Sequence, residues 1–360
     1  MAAYKDRVAA DLDRWIAAGH VAPEKRSAIL ESIPEQRRMD AATALAWVGG
    51  VLFGVAVIAF VSANWDALPR LGRFAIVLGG FLLLAGAGAW TAQRDRTLSS
   101  NILLTIAALV FAAAIGLTGQ IFDIAGDPRA AAYGAGVAAF ALALAGRSTG
   151  AACVGLVMIG IGDFNDGWFA GSQLEAPWML GAAPLGAFLA IRWSSAPLAH
   201  IAALAIVYCF GWFAARGQED AVAFLFVAIL LGAMAAGARW LFGQGRAFGG
   251  VFYGWFAAGA LLFFAIAGYL PWFGPEGSPP AGIAHRVVWL AASGAVLALG
   301  RFDRHALVTA VGVLSTIAAI CAILNDLGLD LMAAAGIFFV CAVAALAAGF
   351  LLRGKKAAAS

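Results

Sequence analysis

The sequence predicts an all-α polytopic membrane protein: a transmembrane helix bundle of about twelve spans, preceded by a small N-terminal cytoplasmic helical hairpin. Three observations carry that expectation. First, of 360 residues 63% are hydrophobic and only 12% charged, against roughly 25% charged and about 45–50% apolar in soluble domains. Second, the charges are concentrated. Residues 1–42 hold 7 basic and 7 acidic side chains, one third of that segment, and the other 318 residues hold only 29. Third, the apolar remainder falls into discrete runs, most near the roughly 20 residues that cross a hydrocarbon core of about 30 Å. This composition excludes a soluble enzyme, a disordered chain and a disulfide scaffold.

The boundaries follow: residues 1–42 form the hairpin and juxtamembrane segment, 43–352 the transmembrane domain and 353–360 a cytoplasmic tail. Residues 4–18 read as a helix because Val8, Leu12, Trp15 and Ile16 recur on one face, and Gly19 supplies a C-terminal stop. Pro23 and Glu24 open a second helix whose Ala28, Ile29 and Ile33 turn back toward that stripe, and Pro34 ends it. Trp15 is expected between the two helices. A hairpin this small does not fold stably alone in water. Leu12, Trp15, Ile16 and Ile29 are therefore candidate partner-binding residues, toward the lipid bilayer surface or another membrane or cytoplasmic protein. Equal numbers of positive and negative charges leave no basic face, so no nucleic acid partner is expected. Arg37 and Arg38 read as orientation determinants near anionic headgroups.

The apolar runs are 43–63, 74–92, 101–119, 130–146, 149–162, 177–191, 197–215, 221–238, 248–270, 285–300, 306–324 and 331–352. None contains Asp, Glu or Lys, and Arg286, at the start of the tenth, is the only Arg. Runs 149–162 and 177–191 are short and are read as tilted partners or a re-entrant pair; the alternative count is ten full spans plus such a pair. With the N-terminus inside, 18 of 23 basic residues fall on the cytoplasmic side. Both termini are therefore expected in the cytoplasm of a bacterial inner (plasma) membrane. Polar residues precede the first run and no small-residue cleavage pattern follows it, so that run is expected to be an uncleaved span. Cys153, Cys209, Cys321 and Cys341 lie singly in four runs without CxxC spacing, which suggests packing rather than zinc or redox chemistry.

Several pieces form a recognisable pattern: Leu12-x-x-Trp15-x-x-x-Gly19-His20-Val21, Gly49-Gly50-Val51-Leu52-Phe53-Gly54, Phe60-Val61-Ser62-Ala63-Asn64-Trp65, then Pro69, Arg70, Arg73 and Gly119-Gln120-Ile121-Phe122. This pattern resembles the bacterial predicted membrane proteins grouped as domain-of-unknown-function family 2157, over roughly residues 4–150. The resemblance implies an integral protein of the cell envelope with no established activity, and it brings no catalytic residue with it.

The candidate chemistry lies at span ends. Asn64, Trp65, Asp66, Arg70 and Arg73 flank the first outer turn. They read as helix-end and interface residues, or as the lining of an outward cavity in which an Arg meets an anion. Gln120, Asp123 and Asp127 form a second cluster. If that loop were helical its two acids would share a face fit for acid–base work or a cation; otherwise they belong to a solvated turn. Asp163-Phe164-Asn165-Asp166-Gly167 begins like a calcium loop but lacks the spacing and the closing Glu. Asn325, Asp326 and Asp330 are a similar turn. Gly146-Arg147-Ser148-Thr149-Gly150 fits G-x-S-x-G but is flanked by Ala-rich helical runs rather than strand and helix. The Gly50–Gly54 step is a packing motif. No HExxH or Walker-type GxxxxGK occurs, so no metal or cofactor is expected.

Spans free of acids and lysines weigh against ion-coupled transport. The expected role is a non-enzymatic envelope sensor or scaffold with a partner-binding hairpin. The alternatives are a transporter or lipid-handling protein with an outward cavity near Asn64, Arg70 and Gln120, and a membrane enzyme using outer-loop carboxylates. An acidic outer turn and a basic inner turn alternate along the chain about six times, which hints at duplication.

Overall fold

A computed structural model of the chain describes residues 4–32, 68–165, 177–216, 220–273 and 279–328, with Leu45, Gly49, Leu52 and Gly336 as isolated helical positions. Among these residues the secondary structure is α-helix without strands. Apart from those four positions, the expected first and last spans lie outside the described residues. So do Ile33, Pro34, Arg37, Arg38, Asp166, Gly167, Asp330, Cys341 and the rest of the Gly50–Gly54 step.

The chain divides into two compact units, residues 1–69 and 70–360. The first contains α1 (Tyr4–Ala17) and α2 (Lys25–Ser32). Gly19, at φ +75°, ends α1: its N–H donates to the Ile16 carbonyl and that of His20 to the Trp15 carbonyl at 2.9 Å. Only a residue without Cβ enters that conformation at no steric cost. Pro23 and Glu24 belong to the turn, because the first carbonyls engaged are those of Ala22 and Pro23, so α2 starts later than the sequence suggests. The two helices are clamped by Arg26, whose Nε and Nη2 donate to Asp13 at 2.7 and 3.1 Å. That hydrogen bond holds the Asp13 carboxyl below the usual carboxylate range. Leu12 is buried, but Trp15 is 48% exposed and Ala28 is exposed as well. The expected Trp15 wedge between the helices is thus corrected: a charged clamp occupies the role given to the ring.

The second unit contains α3 (Arg70–Gln93), α4 (Thr97–Phe122), α5 (Pro128–Gly146), α6 (Thr149–Asn165), α7 (Met179–Arg192), α8 (Ala196–Ala215), α9 (Ala221–Gly243), α10 (Ala247–Ala267), α11 (Pro279–Phe302) and α12 (Ala306–Asp326). Eight of them are long and apolar enough to cross a membrane. The exceptions, α6 with 17 residues and α7 with 14, reach only about 25 and 21 Å at 1.5 Å per residue. They are the two runs the sequence marks as short.

These helices pair most extensively as consecutive hairpins, α3–α4, α5–α6, α7–α8, α9–α10 and α11–α12. Each hairpin is joined by the same backbone turn. One residue takes a left-handed conformation, namely Asp95, Arg147, Ser194, Gly245 or Arg304. The next N–H, of Arg96, Ser148, Ser195, Arg246 or His305, donates back five residues to a helix-end carbonyl. The carbonyl of that same residue then accepts the first bond of the following helix. A carbonyl left free at the end of one helix is thus paired, and the first N–H donor of the next finds its acceptor, within a few residues. This backbone turn is seen five times among the described residues.

Small residues let the helices close up. Ala139, Ala151, Ala183, Ala199 and Ala203 are fully buried. A methyl on Gly136 of α5 would fall 2.6 Å from Ile159 and 3.1 Å from the Gly155 carbonyl of α6, so that crossing depends on glycine. Of the eight long helices, α10 and α8 are the most enclosed and α3 the least.

The helices also run past the apolar runs, so their end turns carry charges that those runs leave out. α6 includes Asp163, α7 Arg192, α9 Arg239 and α12 Asp326. Because α11 starts at Pro279, Arg286 sits two turns inside it.

Candidate functional site

We call the end carrying the five tight turns the turn end and the opposite one the open end. Asn64, Trp65 and Asp66 lie outside the described residues. Arg70 opens α3 and its Nη2 donates to Asp123 at 2.9 Å, with the two side chains 66% and 72% exposed. Arg73, half-buried, makes an interaction of its own. Gln120 is exposed near the end of α4. Asp123 caps α4 in the left-handed region, and Asp127 caps α5 by accepting the Arg129 N–H at 2.9 Å. The chain between them is not helical, so the two carboxylates do not share a helical face. Each closes a different helix, the solvated-turn arrangement.

Asp163 is the acid the sequence underrates. Read as the start of a wet loop, it is 4% exposed in the last turn of α6. It accepts the Tyr133 hydroxyl at 2.6 Å and the N–H groups of Trp178 and Met179 at 3.0 Å each. Tyr133 stacks on Trp178 at 4.5 Å, and Arg129 Nε donates to the Tyr133 hydroxyl at 3.3 Å. The cause is local: α7 begins after Trp178, which offers no side-chain acceptor, so a carboxylate from α6 caps it from outside. A helix opening on Pro177-Trp178 without Ser, Thr, Asp or Asn is the signal that points to such a borrowed cap.

Arg286 and His285 are a second buried pair, 4% and 5% exposed. Arg286 Nε donates to Asp326 at 2.9 Å, and the guanidinium lies 4.2 Å over the Tyr269 ring. His285 stacks on Phe264 at 4.3 Å, and its Nε2 bonds the Phe264 carbonyl at 3.0 Å. A carbonyl only accepts, so Nε2 carries the hydrogen in that bond. Arg286 Nη1 and His285 Nδ1 are buried without partners among the described residues. Both would lie 2.5 Å from a methyl on Gly268, so that glycine is what admits the two side chains.

At the turn end, Arg239 donates through Nε and Nη2 to the two Asp303 oxygens at 2.7 and 2.9 Å. This two-point bond keeps the Asp303 carboxyl below its ordinary range. His305 caps α12 by accepting the Val308 N–H on Nδ1, and burial pushes its pKa down. Ser148 of the G-x-S-x-G stretch donates to Asn101 at 2.9 Å and caps α6 by accepting the Ala151 N–H. Helices flank it on both sides, so it has helix-packing work rather than an elbow geometry. Cys153, Cys209 and Cys321 are free thiols. Among the described residues no three His, Cys, Asp or Glu side chains gather as a metal ion requires.

Two apolar cavities open between the described helices. One, of about 480 Å³, lies between α6, α7 and α8 and is lined by residues including Gly160, Phe164, Met179 and Tyr208. The other, of about 390 Å³, lies between α9, α10 and α11 and ends at Arg239 and Tyr253. Neither is lined by the residues singled out in the sequence as ligand-binding.

No curated protein and no solved structure matches the chain. Residues 13–152 do match the family described as predicted membrane protein (DUF2157), which establishes over that segment the resemblance drawn from Trp15, Gly19 and Gly119–Phe122.

Proposed function

We propose that this membrane protein is a non-enzymatic sensor or scaffold of the bacterial inner membrane, with about twelve spans, both termini cytoplasmic, and the N-terminal helix pair as its partner-binding hairpin. The observation that carries the reading is the division of labour. A compact unit dense in both charges precedes a helical body whose named polar groups serve as caps and clamps between helices. A half-exposed Trp15 beside half-buried Ile16 supports protein contact, since aromatic side chains dominate such interfaces. Leu12, being buried, supports the unit's own fold. Arginines at the tight turns support the orientation.

Two measurements test this. Reporter fusions at Asp166 and at the tail are expected on opposite sides of the membrane; the same side for both overturns the topology. In a strain lacking the chain, protein without residues 1–34 is expected to insert normally yet fail to complement; full complementation removes the partner role. A second reading, lipid handling, is favoured by the two apolar cavities rather than by an outward pocket at Asn64, Arg70 and Gln120.

A further inference from the structure

We propose that the groove between α9, α10 and α11 holds one acyl chain of an anionic phospholipid, with the headgroup at the Arg239 end. The first support is its composition. Gly232, Ala235 and Ala236 of α9 face Ala257 and Ala260 of α10 and Val296 of α11, so the channel exists because side chains stop short. Beyond Gly232 an added methyl would meet nothing within 4 Å. In a bilayer such a channel is filled by hydrocarbon, because an empty one forfeits dispersion contacts along its whole wall.

The second support is its length. The lining runs from Arg239 to Ala228 on α9 and from Tyr253 to Phe264 on α10. Eleven residue steps are about 16 Å of helix, half of a hydrocarbon core of about 30 Å. The groove is therefore one leaflet deep, open toward the bilayer beside Ile229, which is 72% exposed. A single chain entering from that leaflet spans it and ends at mid-membrane.

The third support is charge. Asp303 fixes Arg239 at the groove's mouth with two of its five N–H donors, and the side chain is 38% exposed. Around it the two adjoining turns carry exposed Arg246, Arg301 and Arg304, with Asp303 the single described acid. An anionic headgroup is attracted there and a zwitterionic one much less. The larger cavity between α6, α7 and α8 has no cation in its lining, which is why the assignment goes to this groove.

The test uses the full chain purified in a neutral detergent, titrated with phosphatidylglycerol, phosphatidylcholine or inorganic phosphate, with bound lipid counted by native mass spectrometry. One tightly held phosphatidylglycerol is expected, preferred over phosphatidylcholine by about tenfold, because both offer a phosphate to Arg239 but only phosphatidylcholine brings a cationic choline among the arginines, at about 1 kcal/mol per basic residue. Gly232→Leu, and independently Ala236→Leu, plug the channel and are expected to release that lipid, while the lipid-free variants unfold at the temperature of the lipid-free unaltered chain. Arg239→Gln is expected to keep the chain but abolish the headgroup preference, and Asp303→Asn to increase it. Equal retention of the two lipids by the unaltered protein overturns the proposal. So does an undiminished lipid in both plugged variants, or inorganic phosphate competing as well as phosphatidylglycerol, which would assign the arginine to a free anion. None of these outcomes depends on the N-terminal hairpin.

Discussion

The α3–α4 and α11–α12 hairpins close their open ends with the same bond. In each, an arginine near the start of the first helix donates to an aspartate at the end of the second, at 2.9 Å. In the first hairpin the partners are 66% and 72% exposed; in the second, 5% and 39%. The difference is depth. Arg70 is the first residue of α3, whereas Arg286 is the eighth of α11, about 10 Å farther along its axis. An Asp at a helix C-terminus meets the negative end of the dipole, so both acids gain from a cation. Only Arg286 also loses its water, and only there does the pair decide whether the charge is tolerated. The α5–α6 hairpin is a third version, with the Tyr133 hydroxyl in the arginine's place and Asp163 fully enclosed.

The sharpest way to break this comparison is to remove the acids one at a time and measure thermal unfolding in detergent. Asp326→Ala leaves Arg286 buried and unpaired and is expected to cost about 3–5 kcal/mol. Arg286→Met, which removes the buried charge and leaves the more accessible acid to water, should cost clearly less. If the two cost the same, burial is not what separates the hairpins. Asp163→Asn keeps an acceptor for Tyr133 and Trp178 but turns a donor toward the Met179 N–H. The expected loss is about 1–3 kcal/mol. Asp123→Ala breaks a bond of equal length between exposed groups and should change stability by about 0–1 kcal/mol, less in high salt. A loss matching that of Asp326→Ala would end the argument from depth.

Acid sharpens the same contrast at the turn end. His305 must stay neutral to accept the Val308 N–H, and burial lowers its pKa. Its contribution is therefore complete above the ordinary imidazole value of 6.5 and is lost as pH falls through the depressed folded value. Protection against hydrogen exchange at the start of α12, taken relative to the intrinsic rate at each pH, is expected to fall between neutral and mildly acidic pH, and His305→Asn, which keeps an acceptor, should flatten that response. A smaller effect belongs to Asp13, whose clamp to Arg26 is lost only as pH falls below the usual carboxylate range of 3.8. The protection of α1 and α2 amides, corrected for the intrinsic rate at each pH, should be unmoved above it.

The open-end turn of α4 and α5 was legible because capping is local: Gly126-Asp127-Pro128 writes an N-cap and a first-turn proline directly. Asp163 and Arg286 were not legible because each is specified by a different helix, α7 needing a cap and α12 offering a carboxylate, and no local pattern records which helix a side chain meets. Trp15 was misplaced for a related reason. The apolar stripe of α1 is genuine, but Arg26 of α2 meets Asp13 instead, and a stripe says nothing about which member a partner covers.

The sequence by itself determined that this is a helical membrane protein, where its helices pair and which two are short, and over residues 13–152 which family it resembles. These depend on hydropathy, turn chemistry and local capping, all of which act within a few residues. Only the tertiary structure decided which charges are solvated and which are buried, and where a leaflet-deep groove ends on an arginine. Those depend on the packing of Ala and Gly faces between helices distant in the chain, and burial reverses the energetic meaning of a charge that composition counts only once.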